Sequence, residues 1–372
     1  GNVAVGAHAY GSSYFTDSTC DLNSSTTITC DSSANIAVGQ AVIGSNIPHG
    51  AYVATVNSAG SVTSFTISEA ATATANNQTL YFYRGVGNSN TCLGYITGED
   101  FTTGYENVFI GRSAGSDVVS GYRNVAIGAF ALQAANGSEL SNVAIGYGAL
   151  YSETSNASYC TAVGHGALLT QNANVKNTAI GGLAGDAITN GERNTVLGYA
   201  AGSGITGNSD NTYLGHVAGQ NATGARNIAI GSLAYDASAT GSDNVIVGHE
   251  AGTALTDGPG NVLIGKSAGA AMTTGDYNVA IGYSSCSSMT GDSDSNVAIG
   301  SGTLASEASG ADNCIAIGRD ALATQNGASA INLAIGRAAG DAITDGSKNV
   351  LIGHEAGSAL TTADESVALG YQ

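Results

Sequence analysis

Apolar residues along most of this chain fall in clusters of three, each introduced by Asn, closed by Gly and separated by polar, Gly-rich stretches. The motif is Asn-Val-Ala-Ile-Gly. Its closing glycines are Gly6, Gly94, Gly111, Gly128, Gly146, Gly164, Gly181, Gly198, Gly215, Gly231, Gly248, Gly265, Gly282, Gly300, Gly318, Gly336, Gly353 and Gly370, spaced by 16, 17 or 18 residues from Gly94 onward. An apolar cluster this short cannot make a helix. Its regular return predicts one short strand per coil of a parallel β-solenoid, or β-roll, with coils of about 17 residues.

One residue before the glycine stands Ile, Val or Leu in every copy, and three before stands Val, Ile, Leu or Thr. Alternation puts these two on one side of the strand, which we read as the coil interior. The residue between them is Ala in eleven copies and Cys92, Phe109, Val196, Tyr213, Ile246, Leu263 and Leu351 in the others. That row is expected to face outward. A strand apolar on both sides is normally buried on both sides, so the outward row is expected to pack against sister chains, three-fold by analogy with other fibres.

Four residues before the glycine, Asn occupies fifteen of eighteen copies, the exceptions being Cys160, Cys314 and Ser366. Stacked ~4.8 Å apart, Asn107, Asn124, Asn142, Asn177, Asn194, Asn211, Asn227, Asn244, Asn261, Asn278, Asn296, Asn332 and Asn349 are expected to bond along the solenoid as a structural ladder. Three after the glycine, Ala fills fourteen of seventeen copies, for example Ala9 and Ala114, and is placed inside a second strand. The next residue is Gly in nine coils and Leu in five. A longer repeat overlies this one: Gly94 and Gly248, Gly128 and Gly282, and Gly164 and Gly318 are each 154 residues apart, which reads as duplication of a nine-coil block. Sixteen coil intervals predict a rod on the order of 75–80 Å long.

The register breaks once. Gly6 and Gly94 are 88 residues apart, and between them TTITCDSS, GAYVATVNSAGSVTSFTISEA and NQTLYFY alternate apolar and polar residues as half-buried antiparallel strands do. The expected organisation is a first coil over 1–17, a small all-β sandwich or barrel inserted over 18–84, and a solenoid shaft of about 17 coils over 85–372. NIAVGQAVIG, with Gly39, imitates the coil motif but reads as a strand of the insert. Cys20 and Cys30 are a candidate disulfide within it.

Composition narrows the function classes. Gly contributes 54 residues, Pro two and Trp none, and charged residues make up only 10%. The formal charge is −18, with ten basic residues and no Lys/Arg cluster, which argues against nucleic-acid binding. An acidic surface instead keeps a long fibre soluble. No run approaches the ~20 apolar residues of a membrane span, so no membrane insertion is expected. The chain shows no signal peptide and no starting Met, as in a processed or partial chain.

The NVAIG runs with Ala or Ser downstream resemble the head repeats of YadA-type trimeric autotransporter adhesins. Longer versions, with the NTAIG of 177–181 and TTG-type turns, are similar to repeats in bacteriophage tail fibres and virion appendages, and the insert resembles small β modules of cyanophage structural proteins. The resemblance implies a trimeric β-roll in a virion or at a cell surface. Its implied partners are copies of itself, other virion or fibre proteins, and a host-surface glycan.

No catalytic signature is present: no GxSxG, HExxH or P-loop, and no GGxGxD calcium repeat. The chain is therefore expected to be a non-enzyme without cofactor or metal. His165, His216, His249 and His354 follow the motif glycine, where other coils carry Tyr95, Tyr147, Tyr199, Tyr283, Arg112, Arg319, Arg337 or Lys266, and read as a polar stripe. Tyr105, Tyr122, Tyr151 and Tyr159 are exposed candidates for stacking on sugars. The expected function is a structural shaft, most simply a phage tail fibre or virion appendage; the alternatives are a bacterial surface adhesin and a filament joined head to tail from Gly370 to Asn2. A glycan-cleaving tailspike would need two carboxylates in a cleft, which the sequence does not display.

Overall fold

The computed structural model describes residues 3–5, 14–33, 35–38, 40–48, 51–57, 61–83, 89–101, 104–134, 139–152, 158–172, 175–306, 311–327 and 330–372. Asn2, Gly6, Ala9 and Gly39, singled out above, lie outside them. The described residues contain strands and turns and no helix. They fall into two compact units, Gly1–Tyr159 and Cys160–Gln372.

In the first unit the strand Val3–Val5 lies parallel to Thr91–Leu93, with Val3, Ala4 and Val5 opposite Thr91, Cys92 and Leu93. Val108–Ile110, Val125–Ile127 and Val143–Ile145 follow in the same register. Between Val5 and Thr91 the chain forms a separate antiparallel sheet of six strands: Tyr14–Asn23, Thr27–Ser33, Ala41–Ile43, Val53–Val56, Val62–Ile67 and Thr74–Tyr83. Its first strand thus begins at Tyr14. The edge strands are joined by backbone bonds from Val42 N–H to Ala51 O and from Val53 N–H to Gln40 O, which close the sheet into a barrel. Leu22, Ile28, Val42, Val53, Val62, Ile67 and Leu80 fill it, around an edge-to-face pair of Phe65 and Phe82 with centroids 5.3 Å apart.

The candidate disulfide is not formed: Cys20 and Cys30 are both free thiols. Burial and the carboxylate of Asp17 push both thiols up, that of Cys30 to about 11, so each is held in the protonated form that oxidises poorly. The Cys30 Sγ donates to the Val62 carbonyl at 3.5 Å.

The second unit is a parallel β-solenoid with a period of about 17 residues. Its thirteen three-residue strands run from Thr161–Val163 to Val367–Leu369, each pairing with the next without a register shift. After each strand the chain turns at the motif glycine. There φ is about +130° to +148° in most coils, and a Cβ added at Gly111 would lie 2.6 Å from the Gly128 carbonyl oxygen of the next coil. Only glycine fits. The returning wall is not the second strand expected from sequence but a series of turns. Residues two and four after the glycine take left-handed φ, as at Leu233 and Tyr235, and the wall bonds from coil to coil, as from Gly252 N–H to Ala268 O at 2.9 Å.

The sides of the strand are reversed relative to the sequence expectation. The central residue points inward and is buried, whereas its two neighbours lie on the outer surface. A coil this narrow admits one side chain from its strand, because the facing turns contribute Ala three after the glycine and a shoulder residue four after it. Two branched residues per strand would overfill that space. Centre and shoulder compensate in size. Every bulky centre (Cys92, Phe109, Val196, Tyr213, Ile246, Leu263, Leu351) has a glycine shoulder (Gly98, Gly115, Gly202, Gly219, Gly252, Gly269, Gly357). A Cβ at Gly115 would sit 2.8 Å from the Phe109 ring and one at Gly269 2.8 Å from Leu263. Coils with Ala at the centre carry Leu132, Leu150, Leu168, Tyr235, Cys286, Leu304 or Leu322 at the shoulder, all fully buried. The two coils with both Ala and Gly, at Ala179/Gly185 and Ala334/Gly340, receive side chains from the following coil. Val196 and Leu351 lean back to within 3.2 and 2.6 Å of where those shoulder Cβ atoms would be.

Candidate functional site

The interior is closed to ligands by its own packing, so the surfaces able to act on other molecules are the outer rows of the coils. The Asn row fixes their geometry. Each Asn side-chain oxygen accepts the backbone N–H of the next Asn: Asn194 from Asn211 (3.0 Å), Asn227 from Asn244 (2.9 Å), Asn244 from Asn261 (2.8 Å) and Asn261 from Asn278 (2.8 Å). The amide NH₂ donates to a carbonyl of the loop leading into the next coil, as from Asn177 to Gly191, Asn261 to Gly275 and Asn349 to Ala363, each at 2.8 Å. In the first unit Asn107, Asn124 and Asn142 repeat the pattern, with Asn107 accepting from Asn124 (2.9 Å) and Asn124 from Asn142 (3.0 Å). Asn296 donates to Ala311 O at 2.7 Å and Asn332 to Gly346 O at 2.7 Å. All are buried. Every rung therefore ties the strand of one coil to the strand of the next and to the loop that leads into it.

The exceptions are compensated in place. Cys314 N–H still donates to Asn296, while its Sγ accepts the Asn332 N–H at 3.5 Å. Asn177 and Asn332 give an amide proton to Gln171 Oε1 (3.0 Å) and Gln325 Oε1 (2.6 Å), which the sequence reading passed over. Both glutamines are fully buried, each at the same place in its nine-coil block.

Outside the Asn row lies a charged rim. Five residues before the glycine, Arg193 pairs with Asp210 (2.7 Å) and with Glu192, Arg226 with Asp243 (2.6 Å), and Lys348 with Glu365 (3.4 Å); in the first unit Arg123 pairs with Glu106 (2.8 Å). The guanidinium groups hold the carboxyls of Asp210 and Asp243 below the usual range. The opposite rim is the Tyr/His/Arg stripe. Tyr199 stacks on His216 (5.6 Å), His354 on Tyr371 (5.2 Å), and Arg337 bonds to His354 (2.7 Å). The candidate sugar-stacking tyrosines are exposed at Tyr105, Tyr151 and Tyr159, and Tyr105 stacks on the half-buried Tyr122 at 4.8 Å.

Between the rims run the two rows flanking each strand centre. These are the residues read from sequence as interior. Ile180, Leu197, Leu214, Ile228, Ile264, Ile299, Ile315 and Ile352 are each exposed by 37–42%. Four threonines, Thr161, Thr178, Thr195 and Thr212, are the only polar residues in the two rows of the second unit, and none is charged. Near the Asn row, farther along the chain, one flanking row borders a shallow groove lined by Ile315, Ile331, Leu333 and Val350.

No group of three or more His, Cys, Asp or Glu side chains able to hold a metal ion occurs among the described residues, and no helix is long and apolar enough to cross a membrane. No family model, curated protein or solved structure matches the chain.

Proposed function

We propose that the chain is a non-catalytic structural protein of a fibre: a shaft element, most simply of a phage tail fibre or virion appendage, that presents host-attachment elements. In this reading it works as a homotrimer in a virion or at a cell surface. Its partners are its own copies, other fibre proteins and, at the exposed tyrosines, a host glycan. The observation that carries the reading is the coil interior. Strand, shoulder and Asn side chains fill it and bond it from coil to coil, so each repeat adds stiffness and surface rather than a reaction centre. Immunogold labelling of producing cells and of the particles they release tests it. Label on appendages of released particles is the expected result. Label confined to a bacterial envelope would replace it with the adhesin reading, and glycan cleavage by the purified chain would overturn it.

A further inference from the structure

The outer aliphatic rows of the second unit are unpartnered, and four features say what covers them. The first is extent. Two flanking residues on each of thirteen strands expose on the order of 1,000 Å² of aliphatic surface, beyond the few hundred Å² usual for a soluble monomer and comparable with the ~800 Å² each partner buries in a standard interface. The second is charge. The chain carries −18, yet these rows contain no ionisable group, so this is the face along which two acidic copies can approach without burying a charge. The third is anatomy: an apolar centre between two polar rims, one of paired Arg and Asp, the other of Tyr and His. The fourth is period. Side chains stand in unshifted ranks at the ~4.8 Å strand spacing, and a surface with the same spacing meshes with them along the whole face; a second copy of the chain has it.

We infer that the flanking rows, exemplified by Ile180, Leu214, Ile264 and Ile299, form the interface through which copies of this chain associate. The strand centres, assigned to that role from sequence, lie inside the coil and take no part. The inference rests on the fibre reading, which it deepens by naming the contact surface.

Sedimentation velocity on the full chain at ~10 µM tests it, comparing wild type with Ile180→Glu/Leu214→Glu/Ile264→Glu/Ile299→Glu. The expected result is an oligomeric wild type and a variant shifted to monomer by at least 100-fold in dissociation constant, with an unchanged far-ultraviolet circular dichroism spectrum. Should the variant fail to fold, Ile264→Cys labelled with pyrene gives the second readout, namely excimer emission that rises with protein concentration. A monomeric wild type, a folded variant that stays oligomeric, an absence of excimer, or a monomer that uses this face for a glycan or an unrelated protein would each overturn the inference. An oligomer that cleaves glycans would refute the fibre reading and leave the interface standing.

Discussion

At the scale of single residues, the chain is governed by volume compensation between strand centre and shoulder. Leu263→Ala should open a cavity costing about 2–5 kcal/mol, and Gly269→Leu should clash with Leu263 at a cost of about 1–3 kcal/mol. The pair together recreates the Ala126/Leu132 arrangement of another coil. A double-mutant cycle by chemical denaturation should give a coupling of at least ~2 kcal/mol in favour of the pair; additive costs would refute the compensation. Thiol chemistry follows from the same packing. Cys92, Cys160, Cys286 and Cys314 are buried, and burial pushes Cys92 to about 12. A disulfide-exchange reagent at pH 8 should label at most one thiol per native chain within minutes, against all six cysteines in guanidinium. Rapid labelling of several native thiols would mean the coils open.

At the scale of the element, each solenoid strand is three residues long and cannot stand on its own ladder; the Asn rungs make up the difference. Asn244→Ala removes the acceptor for Asn261 N–H and leaves that buried donor unpaired, for an expected loss of about 2–4 kcal/mol in unfolding free energy. An exposed Thr206→Ala change serves as the near-neutral reference. The rim pairs titrate in the opposite sense to a raised carboxyl. Because Arg226 depresses Asp243, the pair contributes stability above the unfolded carboxylate value of about 3.9, and that contribution is lost as the pH falls through the still lower folded value. Thermal midpoints of wild type and Asp243→Asn should therefore differ slightly at pH 7 and converge once the pH has fallen through the lowered folded value of Asp243; a constant difference would exclude the pair as its source.

Much of this was legible beforehand. The glycine period gave the coil, the Asn row gave the rungs, and the alternation in TTITCDSS and NQTLYFY marked the antiparallel strands. The side of the strand was not legible from polarity, since Ala126 and its neighbours Val125 and Ile127 are all apolar. The signal that distinguishes them is covariation: Phe109 with Gly115, Tyr213 with Gly219 and Leu351 with Gly357, against Ala162 with Leu168. A row whose size answers another row's must touch it. The hydrogen-bonding roles of Gln171 and Gln325 were hidden for a different reason, because a polar residue in a loop segment gives no local hint that it folds inward.

For the molecule as a whole, the acidic charge and the neutral outer rows oppose one another. Copies carrying −18 each repel at long range, while the aliphatic face attracts only on contact. Salt screens the first and leaves the second intact. Self-association should tighten about tenfold or more between 10 and 500 mM NaCl, measured as the sedimentation-derived dissociation constant; weakening with salt would point to ion pairing across the rims instead.

A chain made of nearly identical strands faces a problem of addressing. Any strand can pair with a wrong neighbour one coil away at almost no backbone penalty, so the folding landscape is close to degenerate. The side chains that lean into a neighbouring coil lift that degeneracy. Tyr213 requires glycine beneath it at Gly202 as well as at Gly219, and Leu351 requires Gly340 as well as Gly357. A slip by one coil would set Leu351 on Leu322, so the uneven bulk acts as a code that each segment reads to find its place.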